Sequence, residues 1–306
     1  MDGIRARCGR GEVLLADGAM GSLLMARGLE KGAAPESLNL SRPEVLEDIA
    51  RLYLEAGAEI IQTNTFGASP LKLANYGLAG RAAEINAAAV AAVRRTVGDK
   101  AYVSASVGPS GRLLLPFGDT SESDVLDSFL LQIAALLKAG VDAICVETMT
   151  DLTEARLAVQ AARRLSSAIP VMATMTFEPT PRGFFTIMGV SIVAACRGLE
   201  EAGADLVGSN CGNGSAQMVA IAREFRKCTR LPLLIQSNAG IPELRQGQVR
   251  YPETPDCMAK MSRELLAAGV SVIGGCCGTT PDHIRAMRRA IDDGAKMKPG
   301  DPAQVR

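Results

Sequence analysis

Short apolar, β-branched segments alternate with amphipathic helical segments along almost the whole chain, and this alternation constrains the fold more than any other feature. Four of the helical segments end in the same kind of joint, with a glycine shortly before the next strand: Ala56-Gly-Ala-Glu59, Ala139-Gly-Val-Asp142, Ala202-Gly-Ala-Asp205 and Ala268-Gly-Val-Ser271. A glycine at a helix C-terminus supplies the left-handed residue that ends the helix. The joints precede the second, fourth, sixth and eighth of eight strand–helix units.

Eight such units, joined by right-handed crossovers, favour a closed (β/α)8 barrel, a TIM barrel, over an open doubly wound sheet. No Gly-x-Gly-x-x-Gly follows the first strand, which argues against the dinucleotide-binding form of the open sheet. We therefore predict one barrel domain over residues 1–293 and a flexible tail over 294–306. The predicted helices cover about 38–57, 82–97, 121–139, 151–166, 191–202, 217–227, 254–268 and 282–292, and Ser41 to Glu44 is interpreted as a capping box.

Composition excludes several classes of function. Lys plus Arg equals Asp plus Glu at 33 each, and aromatic residues make up only 4% of the chain, so neither a basic surface nor stacking platforms for nucleic acid are expected. No apolar run approaches the roughly 18 residues that span a bilayer. The eight cysteines are scattered through a long chain rather than arranged as a disulfide framework, which is typical of a reducing compartment. We expect a cytoplasmic protein without membrane or nucleic-acid partners.

Three cysteines stand at strand-to-helix junctions. The sixth strand ends in Asn210-Cys211, and the eighth ends in Gly-Gly followed by Cys276 and Cys277. The carboxyl ends of neighbouring barrel strands share one rim, so these thiols are expected to converge. Three thiolates suit Zn²⁺ and leave a fourth position for a substrate. The alternatives are a vicinal disulfide or redox pair at Cys276–Cys277, or simple packing, which is the interpretation we give Cys145, Cys196, Cys228 and Cys257.

Other polar residues also follow predicted strands and are candidates for the same rim: Asp17 with Gly18, Thr63, Asn64, Thr65, Glu147 and Asn238. Each has a structural alternative. Asp17 and Asn238 also suit turns, Glu147 also suits an ion pair at the rim, and the 63–65 segment also suits caps. The sole histidine, His283, follows Thr280-Pro-Asp at a helix start and is interpreted as a solvated helix residue, with Thr280 as the cap.

The shortage of histidine restricts the chemistry. A Ser-His-Asp or Cys-His nucleophile needs an orienting histidine at the rim, and no predicted strand end carries one. Zinc hydrolases typically combine histidine ligands with a carboxylate. A site with three cysteines is electron-rich and suits the binding and deprotonation of a substrate thiol, because a metal-bound thiol is a nucleophilic thiolate at neutral pH. This points to alkyl transfer to sulfur.

The sequence resembles the homocysteine S-methyltransferase domain family, and in particular the homocysteine-binding barrel of cobalamin-dependent methionine synthases. The matching motifs cover residues 10–290 in order: Asp17-Gly-Ala-Met-Gly21, Thr63-Asn-Thr-Phe-Gly67, Gly108-Pro-Ser-Gly111, Glu147-Thr-Met149, Met172-Ala-Thr-Met-Thr-Phe177, Gly208-Ser-Asn-Cys211, Asn238-Ala-Gly-Ile-Pro242 and Gly274-Gly-Cys-Cys-Gly-Thr-Thr-Pro281.

The resemblance implies a (β/α)8 barrel in which Cys211, Cys276 and Cys277 hold Zn²⁺ and homocysteine sulfur takes the fourth position. It further implies that Asn238 can hold that position before substrate arrives. Asp17 and Glu147 match residues that bind the amino-acid end of homocysteine, where an ammonium group needs carboxylates. The betaine-using branch has a Tyr where this chain has Gly67, which argues against that branch.

The methyl donor is the open question. The corrinoid-binding pattern Asp-x-His-x-x-Gly is absent, so the resemblance leads us to expect methylcobalamin supplied in trans, free or on a corrinoid protein. Members of the family also use S-methylmethionine or S-adenosylmethionine; Asn238-Ala-Gly-Ile-Pro242 favours the corrinoid branch. Two further alternatives are a corrinoid methyltransferase for another thiol or C1 substrate and a non-catalytic barrel that senses zinc or thiols.

Overall fold

The computed structural model describes residues 2–245 and 248–296 of the chain. Its main sheet has eight parallel strands: β1 (Leu14–Leu15), β2 (Ile60–Gln62), β3 (Tyr102–Val107), β4 (Ala143–Met149), β5 (Val171–Met175), β6 (Leu206–Asn210), β7 (Leu233–Ser237) and β8 (Val272–Gly275). The order is β1-β8-β7-β6-β5-β4-β3-β2. A parallel bridge between Ala16 and Ile60 joins the first strand to the second and closes the barrel. The predicted (β/α)8 barrel is confirmed.

Helices surround the barrel within the described residues: α1 (Ile4–Gly9), α2 (Gly21–Ala26), α3 (Leu38–Ser41), α4 (Pro43–Glu55), α5 (Pro70–Leu73), α6 (Ala82–Val97), α7 (Glu122–Lys138), α8 (Leu152–Leu165), α9 (Ile192–Ala202), α10 (Ser215–Cys228), α11 (Pro255–Ala267) and α12 (Pro281–Lys296). Short 3₁₀ turns cover Pro35–Ser37, Ala74–Tyr76 and Ala79–Arg81. None of these helices is long and apolar enough to cross a membrane. The predicted tail lies outside the described residues from 297 onward.

The apolar core has two layers, as the barrel architecture requires. The larger layer lies between the sheet and the helices. The smaller fills the barrel interior with side chains from every second position of the strands, Cys145 among them. Ile4 and Cys8 of α1 belong to this inner layer, so the short N-terminal helix plugs the amino-terminal end of the barrel. The open end is therefore the one where the strands end in polar residues.

Two predictions of local structure are wrong. The helix expected over 38–57 is divided at Arg42, and Ser41 does not cap α4, because its hydroxyl donates to the carbonyl of Ser37. The residue before a proline avoids the helical conformation, and Pro43 then opens α4. His283 is buried rather than solvated: Nδ1 contacts Thr280, and Nε2 lies 2.9 Å from the carbonyl oxygen of Glu253.

Two β-hairpins rise from the carboxyl end of the barrel and were not predicted. One pairs Glu178–Thr180 with Gly183–Phe185 in the connection after β5, and the other pairs Glu243–Arg245 with Gln248–Arg250 in the connection after β7. The second hairpin leads into Tyr251, Pro252 and Glu253. Glu253 is fixed at both backbone ends, since its N–H donates to Ala239 and its carbonyl contacts His283.

Candidate active site

Three cysteine sulfurs converge at the open end of the barrel. Cys211 directly follows β6, and Cys276 and Cys277 directly follow β8, with only β7 between the two strands. Their Sγ atoms all lie within 4.8 Å of one another, and those of Cys211 and Cys277 are 3.9 Å apart. Cys211 has a φ of 60°, a left-handed conformation that is uncommon for a residue with a side chain and is often found at functional sites.

The donor set and its spacing fit a zinc ion. Sulfur bonds of about 2.3 Å in tetrahedral geometry place two sulfurs about 3.8 Å apart, which matches the separation of Cys211 and Cys277. Hydrogen bonds from Cys211 and Cys276 lower the pKa of the Cys277 thiol, so a thiolate is available among the three. All three residues are free thiols, which leaves the vicinal disulfide without support. Among the other cysteines, Cys145 and Cys196 pack as predicted, whereas Cys228 is exposed and Cys257 half-buried.

Two buried carboxyl groups lie at the carboxyl end of the barrel. Asp17 follows β1, and Glu147 belongs to β4. Burial raises the pKa of Asp17 to about 8 and that of Glu147 to about 7, and the neighbouring Glu147 adds to the rise at Asp17. Asp17 Oδ2 accepts the N–H of Gln62 at 2.8 Å, whereas Oδ1 is buried without a partner among the described residues. Two carboxyls with raised pKa values form a site that a cation would stabilise.

Contacts around Glu147 and the 63–65 segment were not visible in the sequence. The hydroxyl of Ser106 donates to Glu147 Oε1, and the side chain of Gln62 also hydrogen-bonds this carboxylate. Thr65 donates to the carbonyl of Ser106 at 2.7 Å. Asn64 Nδ2 donates to Pro35 and Asn39 at 2.8 Å each. Asn64 and Thr65 therefore hold the rim of β2 in place, which is the structural alternative considered for them.

One cavity of about 300 Å³ connects the cysteines to Glu147. It is lined by most of the predicted site residues, namely Gly18, Thr63, Asn64, Glu147, Cys211, Cys276 and Cys277, and by apolar side chains that include Met20, Met25 and Phe66. Gly18 lies so close to its neighbours that a Cβ there would stand 2.6 Å from Thr279 Oγ1 and 2.8 Å from the Tyr53 hydroxyl. Asp17, Thr65 and Asn238 lie beneath this lining and are almost fully buried.

Asn238, unlike the three cysteines, does not line the cavity. Its N–H donates to the carbonyl of Asn213, and the next residue, Ala239, donates to the carbonyl of Cys277 at 2.9 Å. Its Oδ1 is buried and has no partner among the described residues. An unpaired buried oxygen next to the Cys277 backbone is consistent with a donor to a bound group, and its place in the metal site stays a prediction.

Tyr251 is a site residue that the sequence reasoning missed. It lines the cavity, and its hydroxyl hydrogen-bonds the side chain of Cys277. Burial and the neighbouring cysteines raise the pKa of the phenol to about 12, so it stays protonated and can donate to a thiolate. Its ring fills the space above Gly278, where a Cβ would be 2.0 Å from Tyr251 Cγ. Tyr251 follows a hairpin that was not predicted, so no sequence pattern indicated that it lies at the site.

Comparison with known proteins decides the family. The family model for homocysteine S-methyltransferase matches residues 14–291. The chain belongs to this family. The resemblance inferred from its motifs is thereby confirmed, and the match covers all eight barrel strands.

Curated relatives include methionine synthases. The one from Mycobacterium tuberculosis is 38% identical over 298 residues, covering 91% of this chain and 24% of the relative, and the one from Mycobacterium leprae is 37% identical with the same coverage. The chain thus spans about a quarter of the length of the curated relatives it matches. The activity of those longer proteins is therefore assigned to this barrel only as a proposal.

Solved structures confirm the fold. The metallated form of the homocysteine methyltransferase MmuM from Escherichia coli superposes with a TM-score of 0.76 at 23% identity, covering 94% of this chain and 99% of that one. A methyltransferase from Methanosarcina mazei superposes with a TM-score of 0.61 at 13% identity, covering 95% and 98% of the two chains. At these identities the superpositions support the barrel and not a shared substrate.

Proposed function

We propose that this barrel transfers a methyl group to the sulfur of homocysteine and so forms methionine. One observation carries the proposal: three cysteine thiols and the buried carboxyl of Glu147 face a single cavity. Such a cavity offers one end to a sulfur and the other to an ammonium group, and homocysteine carries both. The family match and the relatives named methionine synthase support the same substrate.

Glu147 and Asp17 are proposed to bind the ammonium group of the substrate. Burial holds the pKa values of both groups far above the ordinary range of a carboxyl. An ammonium ion next to them would favour their ionised forms. Glu147 lines the cavity, whereas Asp17 lies behind the lining and has one oxygen without a partner among the described residues. Glu147 therefore contacts the ammonium group, and Asp17 adds to the negative potential around it. Gly18, Thr63 and Asn64, which line the same cavity, are the further substrate-binding candidates.

Cys211, Cys276 and Cys277 are proposed as the zinc ligands and the catalytic residues. Zinc bound there would supply Lewis acidity, which lowers the pKa of a substrate thiol to give a thiolate at neutral pH. Tyr251 and Ala239 hold Cys277 through its thiol and its carbonyl. Met20, Met25 and Phe66 give the same cavity an apolar part of its lining, although Met25 and Phe66 also face solvent.

The transfer is a displacement at carbon. The bond between the substrate sulfur and the methyl carbon would form as the bond between that carbon and the donor breaks, with the electron pair of the broken bond staying on the donor. The thiol proton would be released to solvent beforehand. Holding the sulfur in line with the methyl group is the main contribution of the site. We propose methylcobalamin, free or carried by a corrinoid protein, as the donor, because Asn238-Ala-Gly-Ile-Pro242 resembles the corrinoid branch. The sequence contains no Asp-x-His-x-x-Gly motif for holding the corrinoid itself.

The free thiols of the site further lead us to propose a reducing, cytoplasmic compartment, in which such cysteines persist.

A donor panel tests the proposal. Zinc-loaded protein is incubated with homocysteine and either methylcobalamin, S-methylmethionine or S-adenosylmethionine, and methionine is measured. Formation of methionine from methylcobalamin alone is the expected result. Turnover with a sulfonium donor alone would overturn the donor assignment and keep the acceptor. Zinc binding without methionine from any donor would contradict the proposed activity and favour another thiol acceptor or a sensing barrel.

A further inference from the structure

Asn210 connects the two ends of the cavity without lining it. It is the last residue of β6, directly before Cys211, and its side chain is completely buried. Glu147 belongs to β4, and Cys276 follows β8, so the two groups stand on opposite sides of the barrel. β6 lies midway between them in the strand order. A side chain at its end is therefore placed to contact both.

The hydrogen-bond network fixes the orientation of the Asn210 amide. Its Oδ1 accepts the N–H of Thr148 at 2.7 Å and the hydroxyl of Thr174 at 2.8 Å. A backbone N–H donates only, so the oxygen must face Thr148 and the nitrogen must face the cavity side. Nδ2 then donates to Thr148 Oγ1 at 2.7 Å.

The second hydrogen of the Asn210 nitrogen faces both functional groups. Nδ2 lies 3.4 Å from Glu147 Oε2 and 3.9 Å from Cys276 Sγ. One amide nitrogen thus contacts the carboxylate proposed to bind the ammonium and a sulfur proposed to bind the metal. Thr148 and Cys211, the residues beside these contacts, both have left-handed backbones with φ near 60°. The contacts of Asn210 hold this uncommon geometry in place at Thr148, whereas the N–H of Cys211 donates to the carbonyl of Gln236.

We propose that Asn210 is a positioning residue that sets the distance between the ammonium site and the sulfur site, and thereby selects the chain length of the thiol substrate. The inference rests on the proposed function, since it assigns the two ends of the cavity to the two ends of an amino-acid thiol. When the distance is fixed, a thiol with one methylene fewer than homocysteine would not reach both ends, and a thiol with one methylene more would have to bend its chain to fit. Loss of the Nδ2 contacts would relax that distance.

Asn210→Asp is the most informative variant, because it is isosteric and keeps an acceptor for Thr148 and Thr174 while removing the donor to Glu147 and Cys276. Asn210→Ser also removes the contacts of Nδ2 with Glu147 and Cys276, but it adds no negative charge. It therefore controls for the charge that Asn210→Asp introduces. Thr174→Val is the matched control, because it removes a hydroxyl that contacts Asn210 Oδ1 and leaves Nδ2 in place.

The experiment compares three thiols: cysteine, homocysteine and 2-amino-5-sulfanylpentanoate. For each variant, kcat and KM are measured with the donor that works for the unmodified protein, and dissociation constants are measured by calorimetry on zinc-loaded protein. Zinc content is measured alongside. We expect Asn210→Asp and Asn210→Ser to retain zinc, to lower kcat/KM for homocysteine by about 100-fold, and to reduce the preference for homocysteine over cysteine by about tenfold or more. Thr174→Val should retain the preference.

Two outcomes would overturn the role of Asn210. The first is a loss of kcat/KM that is equal for all three thiols, with an unchanged ratio of their dissociation constants. The other is the same change of preference in Thr174→Val, which would show a general effect of the β4–β6 network. Failure of the proposed function is separable, because the calorimetric ratio is measured without a methyl donor. A protein that bound the thiols selectively but made no methionine would contradict the activity and keep the role of Asn210.

Discussion

The sulfur atoms of Cys211 and Cys277 lie 3.9 Å apart although 66 residues separate them in the chain. The barrel brings them together because the carboxyl ends of β6 and β8 flank a single strand. Replacing any one of Cys211, Cys276 or Cys277 by serine should lower zinc affinity by more than about 100-fold, since a hard hydroxyl replaces a thiolate. Zinc retained after dialysis against a competing chelator measures this effect.

Cys257→Ser is the matched control for the zinc measurement, because Cys257 lies on α11 and is likewise half-buried and free. It should retain one zinc per chain. Undiminished zinc binding in all three site variants would contradict the metal centre.

The raised pKa values at the other end of the cavity predict a pH-dependent affinity for amino acids. Both carboxyls must be ionised to hold an ammonium group, and their pKa values of about 8 for Asp17 and about 7 for Glu147 place that ionisation near neutrality. Binding of methionine, which has no thiol to titrate, should strengthen as pH rises from 6 to 8, by about tenfold per unit or more, because two carboxyls have to lose their protons. Calorimetry measures this directly. Dissociation constants independent of pH in this range would contradict the assignment.

Burial of the Asp17 carboxyl, whose Oδ1 has no partner among the described residues, should cost stability. Its pKa of about 8 in the folded protein exceeds the ordinary 3.8, so its contribution is fully present in acid and is lost as pH rises through 8. Relative to the unmodified protein, Asp17→Asn should therefore gain about 3–4 kcal/mol in free energy of unfolding between pH 5 and pH 8, while amino-acid binding weakens. Urea unfolding at the two pH values measures the gain, and the exposed Asp99→Asn should show none.

Gly278 and Tyr251 offer a test of the cysteine surroundings. Gly278 has a φ of 79°, and a Cβ there would overlap the Tyr251 ring. Gly278→Ala should displace the ring and lower methionine formation by about tenfold or more, in the range of lost supporting contacts around metal ligands. Gly189→Ala is the control, since Gly189 has a φ of 81° and open space around it. Gly189→Ala should lower the free energy of unfolding by roughly 1 kcal/mol through backbone strain and leave activity unchanged. Equal activity in both variants would refute a role for Tyr251.

The sequence predicted the parts of this fold that depend on local patterns. The helix predicted over 82–97 matches α6, because the alanine-rich amphipathic pattern favours a helix throughout and stops at Gly98. The helix predicted over 151–166 matches α8, whose cap is Asp151, accepting from the N–H groups of Thr153 and Glu154. The convergence of Cys211, Cys276 and Cys277 followed from barrel geometry, since strand ends share a rim in every such fold.

The contacts between distant strands were beyond that reasoning. Asn210 stands beside Cys211 in the sequence, yet its contacts with Glu147 and Cys276 depend on side-chain directions across three strands. Tyr251 reaches Cys277 only because a hairpin and the buried His283 fix the segment that carries it. Asn64 and Thr65 lie at the rim, and hydrogen bonds to the carbonyls of Pro35 and Ser106 take up the Asn64 amide nitrogen and the Thr65 hydroxyl.

The central claim is that homocysteine sulfur joins the three cysteine sulfurs at one zinc ion. X-ray absorption at the zinc edge, with and without homocysteine, tests it most directly because it counts sulfur ligands. The account predicts three sulfurs and one oxygen or nitrogen donor in the free protein, and four sulfurs when homocysteine is added. A spectrum that still shows three sulfurs at saturating homocysteine would contradict it.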